Sequence, residues 1–137
     1  MGNGANEMGD NLPTVNLGTG RTAIAIAAGA LHTCAVLEDS SVKCWGYNNR
    51  GQLGIDNTTD MGDNSGEMGD NLPTINLGTG RTANGIAGGE DHTCAVLDDS
   101  SVKCWGNNSL GRLGLDNTTN MGDNSGEMEV LPISINL

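Results

Sequence analysis

Two stretches concentrate the residue types that carry chemistry. HTCAVLEDSSVKCWG begins at His32, and HTCAVLDDSSVKCWG begins at His92. Each holds a histidine, two cysteines and a tryptophan in the same order. Three chemistries use such a set. Zinc sites favour close cysteine pairs and four converging ligands. Here Cys34 and Cys44 lie 44 − 34 = 10 positions apart, as do Cys94 and Cys104. Side chains alternate along a strand, so His32 and Cys34 share one side, and a His-Cys-Cys site stays open as a reading. A thioredoxin-type redox centre needs Cys-x-x-Cys, which the chain lacks. A staple is the third possibility. The turn-forming EDSS at Glu38 separates two strand-like runs and reads as the loop of a hairpin. Neighbouring strands bring Cβ atoms near the ~3.8 Å a disulfide needs. The even count and identical placement favour Cys34–Cys44 with Cys94–Cys104, with pairing between units as the alternative. Stapling a loop of this length contributes roughly 2–3 kcal/mol, and disulfides imply an oxidising, extracellular setting.

Other candidates are weaker. His32 and His92 could act as general bases, but no nucleophile partners them within a unit, so a structural role at a strand start is expected. Trp45 and Trp105 each end a strand and are expected to pack between layers, with carbohydrate stacking as the alternative. Asp60, Asp63, Glu67 and Asp70 fall in one Gly- and Asn-rich loop and form a calcium candidate, since calcium takes six to eight oxygens. Their spacing is not that of an EF-hand, and a solvated acidic loop is the competing reading. Paired carboxylates also occur in glycoside hydrolysis, for which no cleft is apparent. No other cofactor is expected. Asn57 and Asn117 in NTT, and Asn107 in NNS, are N-glycosylation sequons.

The elements that position these residues are short strands. The chain has 137 residues, 22 Gly, 3 Pro, 2 Trp, 1 Tyr and no Phe, so a core of large aromatics is excluded. Internal repetition organises it. EMGDNLPTVNLGTGRTA at Glu7 returns as EMGDNLPTINLGTGRTA at Glu67, and Met8 returns as Met68, a period of 68 − 8 = 60 residues. About 47 of the 60 aligned positions are identical. MGDNSGEM at Met121 starts a third copy that continues as EVLPISINL. Each unit offers four strand-like runs: LPTVNL, AIAIAAG, HTCAVL and VKCWG. A long polar loop separates them from the next unit, and such loops are either functional or ordered on the surface. Regular short strands with Gly-rich turns point to a propeller or solenoid. The small inner run AIAIAAG suits the crowded centre of a propeller.

AIAAGALHTCAVLEDSSVKCWGYNNRGQLG resembles the repeat of the regulator of chromosome condensation family, in its cysteine-bearing, secreted or cell-surface form. The second unit departs with IAGGEDHT and LGRLG. The resemblance implies an all-β chain of propeller-type blades, each of four antiparallel strands, with the LPxxNL strand completing the preceding blade from outside. Blade one is then Ile24–Ala28, Thr33–Leu37, Val42–Trp45 and Leu72–Leu77. Blade two is Asn84–Ala87, Thr93–Leu97, Val102–Trp105 and Leu131–Leu137. Leu12–Leu17 is left as the outer strand of a preceding blade. The expected division is 1–23 as outer strand and lead-in, 24–77 as blade one and 78–137 as blade two, with an open array as one arrangement of the blades.

The formal charge of −11 opposes nucleic-acid binding and anionic membranes. No apolar run approaches the ~20 residues of a membrane span. The first residues lack a signal-peptide pattern, which is expected of a processed chain or a piece of a longer one. The favoured function is a non-enzymatic extracellular structural repeat that associates with itself head to tail through its blade ends, into a ring, a filament or a longer array. The alternatives are a module that binds a protein or glycan and, as the resemblance also implies, a guanine-nucleotide exchange factor. Intact-mass spectrometry without reductant checks the cysteine reading. The expected mass is that of two disulfides, and four free thiols would overturn the oxidising setting.

Overall fold

The computed structural model describes residues 1–130, and the run Leu131–Leu137 lies outside the described residues. Each unit forms one antiparallel sheet. The first contains β1 (Ala23–Ala28), β2 (His32–Leu37) and β3 (Val42–Gly46), in that order. The second contains β4 (Ala83–Gly88), β5 (His92–Leu97) and β6 (Val102–Gly106). One short helix, α1 (Glu127–Val130), follows. The hairpin turns form where Asp and Ser dominate. Asp39 Oδ1 accepts from Ser41 N at 3.0 Å and Ser41 Oγ at 2.6 Å, and Ser40 takes φ +64°. Arg21 pairs with both Asp39 and Glu38 outside the turn, and Arg81 repeats this with Asp99 and Asp98. The Arg21 guanidinium, with the Ser41 donors, holds the Asp39 carboxyl far below the usual carboxylate range.

Three strands per sheet form ladders. Leu72–Leu77 runs beside β3 and bonds to it through Ile75 N, which donates to Val42 O at 2.8 Å. Pro73 has no N–H to give a ladder. The fourth member of blade one is thus an extended segment docked on the outside, not a laddered strand. Its packing is firm, with Leu72, Ile75 and Leu77 all buried.

The core lies between the sheets. A three-stranded sheet has two apolar faces and cannot cover either by itself. Cys34, Val36, Val42 and Cys44 of unit one pack with Ile75, Leu77, Ala83, Ala95, Leu97 and Trp105. At the inner end the blades converge so far that a Cβ on Gly88 would meet Ala28 O at 2.7 Å. Ala30 N reaches across to Glu90 O at 3.2 Å there. Glycine and alanine in β1 and β4 therefore serve close approach.

The repeat is its own control for burial. Val36 is 0% exposed because unit two covers it, whereas its counterpart Val96 is 44% exposed. Truncation should follow this asymmetry. Val36→Ala is expected to cost about 2 kcal/mol of unfolding free energy, and Val96→Ala less than about 1 kcal/mol. Urea denaturation of both variants checks this, and equal costs would refute the seam as the core.

Candidate functional site

The densest polar chemistry of the chain is buried in the seam between the blades. β2 opens with His32, 3% exposed, whose Nε2 lies 2.9 Å from Thr93 Oγ1 near the start of β5. Thr93, 0% exposed, donates its hydroxyl to Gln52 O at 2.8 Å. Trp105 Nε1 donates to the same carbonyl at 3.1 Å. A hydroxyl has one proton and a carbonyl only accepts. Thr93 therefore gives its proton to Gln52 O and must accept from His32, which fixes the His32 tautomer as Nε2–H. Nδ1 is left carrying the lone pair, buried and without a hydrogen-bond partner.

The ring is wedged against the chain. A Cβ on Gly29 would collide with His32 Cε1 and Nδ1. Burial pushes the His32 imidazole below its ordinary range, and Asp91 offsets this while His92 reinforces it. His92 is lowered in the same way, by burial and then by Arg112. A buried, neutral ring that donates to the Thr93 hydroxyl is not placed to take its proton, and it joins two units.

The structure pairs the cysteines within each hairpin. Cys34 lies opposite Cys44 in the register with S–S 2.09 Å, and Cys94 lies opposite Cys104 with S–S 2.05 Å. Thiolate ligands for zinc are thereby absent. Sequence reading missed the location of the first staple, which faces unit two and forms part of the seam. The shared alternation of Cys34 with Val36 was the available signal. Around the second staple, Gly85, Ala87, Cys94, Val96 and Val102 line an open concavity of about 240 Å³.

The four calcium candidates do not gather at one point; Asp63 and Glu67 share the Asn64 amide, and Asp60 and Asp70 bond elsewhere. Asp60 accepts from Asn48 N at 2.7 Å. Asp63 accepts from Asn64 Nδ2 at 3.0 Å. Glu67 accepts from Gly62 N and Asn64 N at 2.8 and 3.0 Å, and these bonds hold its carboxyl low. Asp70 accepts from Thr19 N and Oγ1 at 2.8 and 2.7 Å, with the same consequence. Among the described residues no three His, Cys, Asp or Glu side chains group as a metal site. The acids tie loops by taking backbone donors.

Asn48 was also missed. It is 0% exposed, donates to Asn57 O at 2.8 Å and Thr59 O at 2.9 Å, and accepts from Leu53 N at 2.9 Å. Its counterpart Asn108 repeats the contacts to Asn117 O and Leu113 N. The signal was its retention at the same place in both units while Tyr47, Asn49 and Arg50 all change. The sequon residues Asn57 and Asn117 are exposed on these loops, and Asn107 is half-buried.

The lone pair at Nδ1 gives the seam a pH dependence. Both histidines bind protons more weakly folded than unfolded, where the value is near 6.5. The unfolded chain therefore takes up protons first as pH falls. Stability should be fully present above about pH 6.5 and decline as pH drops below it. The carboxylates lose their own share only near pH 4 and lower. Urea midpoints between pH 7.5 and 5 check this. His32→Gln, which retains an N–H donor, should remove His32's part of the slope, and a flat profile in the wild type would refute the account.

The comparisons with known proteins agree with this architecture. The sequence profile of the Regulator of chromosome condensation (RCC1) repeat matches residues 23–52 and 84–112, and a second profile of that description matches 39–96. The ultraviolet-B receptor UVR8 of Arabidopsis thaliana is 35% identical over 95 residues, covering 69% of this chain and 20% of the receptor. Protein pim1 of Schizosaccharomyces pombe is 30% identical over 92 residues, covering 67% of this chain and 16% of pim1. Prp20p of Saccharomyces cerevisiae, a crystal structure described with its binding to Gsp1p and histones, superposes with TM-score 0.53 at 26% identity, covering 74% of this chain and 24% of Prp20p. Human WBSCR16 superposes with TM-score 0.59 at 18% identity, covering 75% of this chain and 25% of that protein, and shows the fold alone. The chain spans about a fifth of the length of the curated relatives it matches. With two repeats, two propeller-type sheets and a shared seam, the chain belongs to the regulator of chromosome condensation repeat family.

Proposed function

We propose that the chain is a non-enzymatic repeat module of an oxidising, extracellular setting, and that it works by stacking its blade faces head to tail against further repeat units, in a ring, a filament or a larger propeller array. One contrast carries the reading. Ile86 packs half-buried on unit one, and Val36 is sealed by unit two. Their counterparts at the two ends, Ile26 and Val96, are 68% and 44% exposed. A solitary module does not leave bare the same surfaces it seals internally. The division into 1–23, 24–77 and 78–137 belongs to this proposal.

Two disulfides support the oxidising setting. Among the described residues no helix is long and apolar enough to cross a membrane. Asn57, Asn107 and Asn117 are the proposed glycosylation sites, with Asn57 and Asn117 favoured by exposure. A second reading, a module binding a protein partner, draws on the −11 charge, which suits a basic surface. Prp20p, whose described binding includes histones, is a precedent for it. Nothing beyond the family resemblance supports nucleotide exchange.

A tandem series tests the stacking. Proteins with one, two and three copies of residues 68–127 inserted after Glu127, which keeps the 60-residue register, should gain stability with each copy, because each adds one seam. Denaturant midpoints independent of copy number would sink the proposal.

A further inference from the structure

The two free faces of the chain carry complementary halves of the buried latch. Within the chain, unit one contributes His32 and the Gln52 carbonyl, and unit two contributes Thr93 and Trp105. One period later, the free face of unit two presents His92 and the Arg112 carbonyl. The free face of unit one presents Thr33 and Trp45. Thr93 and Trp105 are fully buried in the seam, whereas Thr33, Trp45 and His92 are each only half-buried. Among the described residues the Thr33 hydroxyl, the Trp45 indole and His92 Nε2 lack the hydrogen bonds that Thr93, Trp105 and His32 make in the seam.

We infer that the partner of the free face of unit two is a second copy of this chain, docked through its own unit one so that His92 donates to Thr33 Oγ1 and the Arg112 carbonyl receives Thr33 and Trp45 of the second copy. The inference rests on the stacking function proposed above and names its partner. The internal seam supplies the geometry, because 47 of 60 positions repeat and the latch donors and acceptors are all retained. Backbone atoms of Arg112 replace those of Gln52, so the Gln-to-Arg change leaves the acceptor intact.

The apolar contacts match in the same register. Ile26, 68% exposed, enters the concavity beside Val96 and Ala87 as Ile86 enters the corresponding surface of unit one. A loop bond repeats as well. Asp56 accepts from Gly126 N at 3.1 Å and Met128 N at 2.9 Å. Asp116 stands at the equivalent place on unit two and meets Gly66 N and Met68 N of the second copy. Docking has one steric consequence. Met128, 1% exposed, already holds the place that Met8 of the incoming copy would take. The incoming segment around Met8, Leu12 and Val15, which are 59%, 41% and 52% exposed, is the easier to displace. Both copies carry −11, so their approach is repulsive and is favoured by screening salt.

Sedimentation velocity of the full chain from micromolar to near-millimolar concentration, in low and in 0.5 M sodium chloride, tests the inference. The expected result is an average mass that rises with concentration and rises further with salt. Thr33→Val is nearly isosteric and removes the hydroxyl, and it should weaken association about tenfold or more with the monomer's urea midpoint unchanged. Val96→Asp should abolish association, and because Val96 is 44% exposed the variant folds. A wild-type monomer at every concentration, or a Thr33→Val variant that associates like wild type, overturns the inference. If the tandem series gains stability while the wild type stays monomeric, the stacking function stands and the second-copy partner falls. If the tandem series is flat, both fall.

Discussion

The single proton of the Thr93 hydroxyl organises the seam. It goes to the Gln52 carbonyl, so the oxygen turns its lone pairs to His32, and the indole of Trp105 completes the carbonyl's second acceptor site. Four groups from two units, all on buried residues, are satisfied together. A buried hydroxyl or indole N–H left unpaired costs more than a typical hydrogen bond returns, so the network admits one relative placement of the blades. The apolar residues around it supply the driving force, and the polar groups supply the register.

This arrangement explains an unusual composition. A chain with no Phe cannot fill a wide core, so it brings its sheets close. Ala28 and Gly88 touch through backbone at the inner end, and Gly29 leaves room for the His32 ring. The disulfide Cys34–Cys44 then acts twice. It closes a hairpin and, being 1% and 0% exposed, forms part of the surface on which the next blade rests. Its counterpart in unit two is less covered, with Cys94 half-buried and Cys104 3% exposed.

The acidic residues carry the other structural burden. Loops rich in Gly and Asn have many backbone N–H groups outside ladders, and each requires an acceptor. Asp39, Asp56, Asp60, Glu67 and Asp70 meet this need by accepting backbone N–H groups, Asp56 on both of its oxygens. Arg21 beside Asp39, the Asn64 N–H at Glu67 and the Thr19 hydroxyl and N–H at Asp70 favour the ionised form, so these three carboxyls titrate low. The net charge of −11 is in good part the sum of loop fasteners, and that accounts for acids gathered in sequence that form no group of three among the described residues.

Sequence alone determined the local features. The turn at Asp39 and Ser41, the opposition of Cys34 and Cys44, the strand runs and the repeat all follow from alternation and turn chemistry within a few residues. The family resemblance rested on those same local runs. Tertiary structure decided what depends on packing across the period. His32 and Thr93 are 61 positions apart, and no spacing rule connects them. The same holds for Asp56 with Met128, 72 positions apart, and for Asp70 with Thr19, 51 positions apart. The single bond of Leu72–Leu77 to β3, from Ile75 N to Val42 O, was likewise a matter of packing. Periodicity states which face a side chain occupies, but distance and orientation between two faces are set only when both are buried against each other.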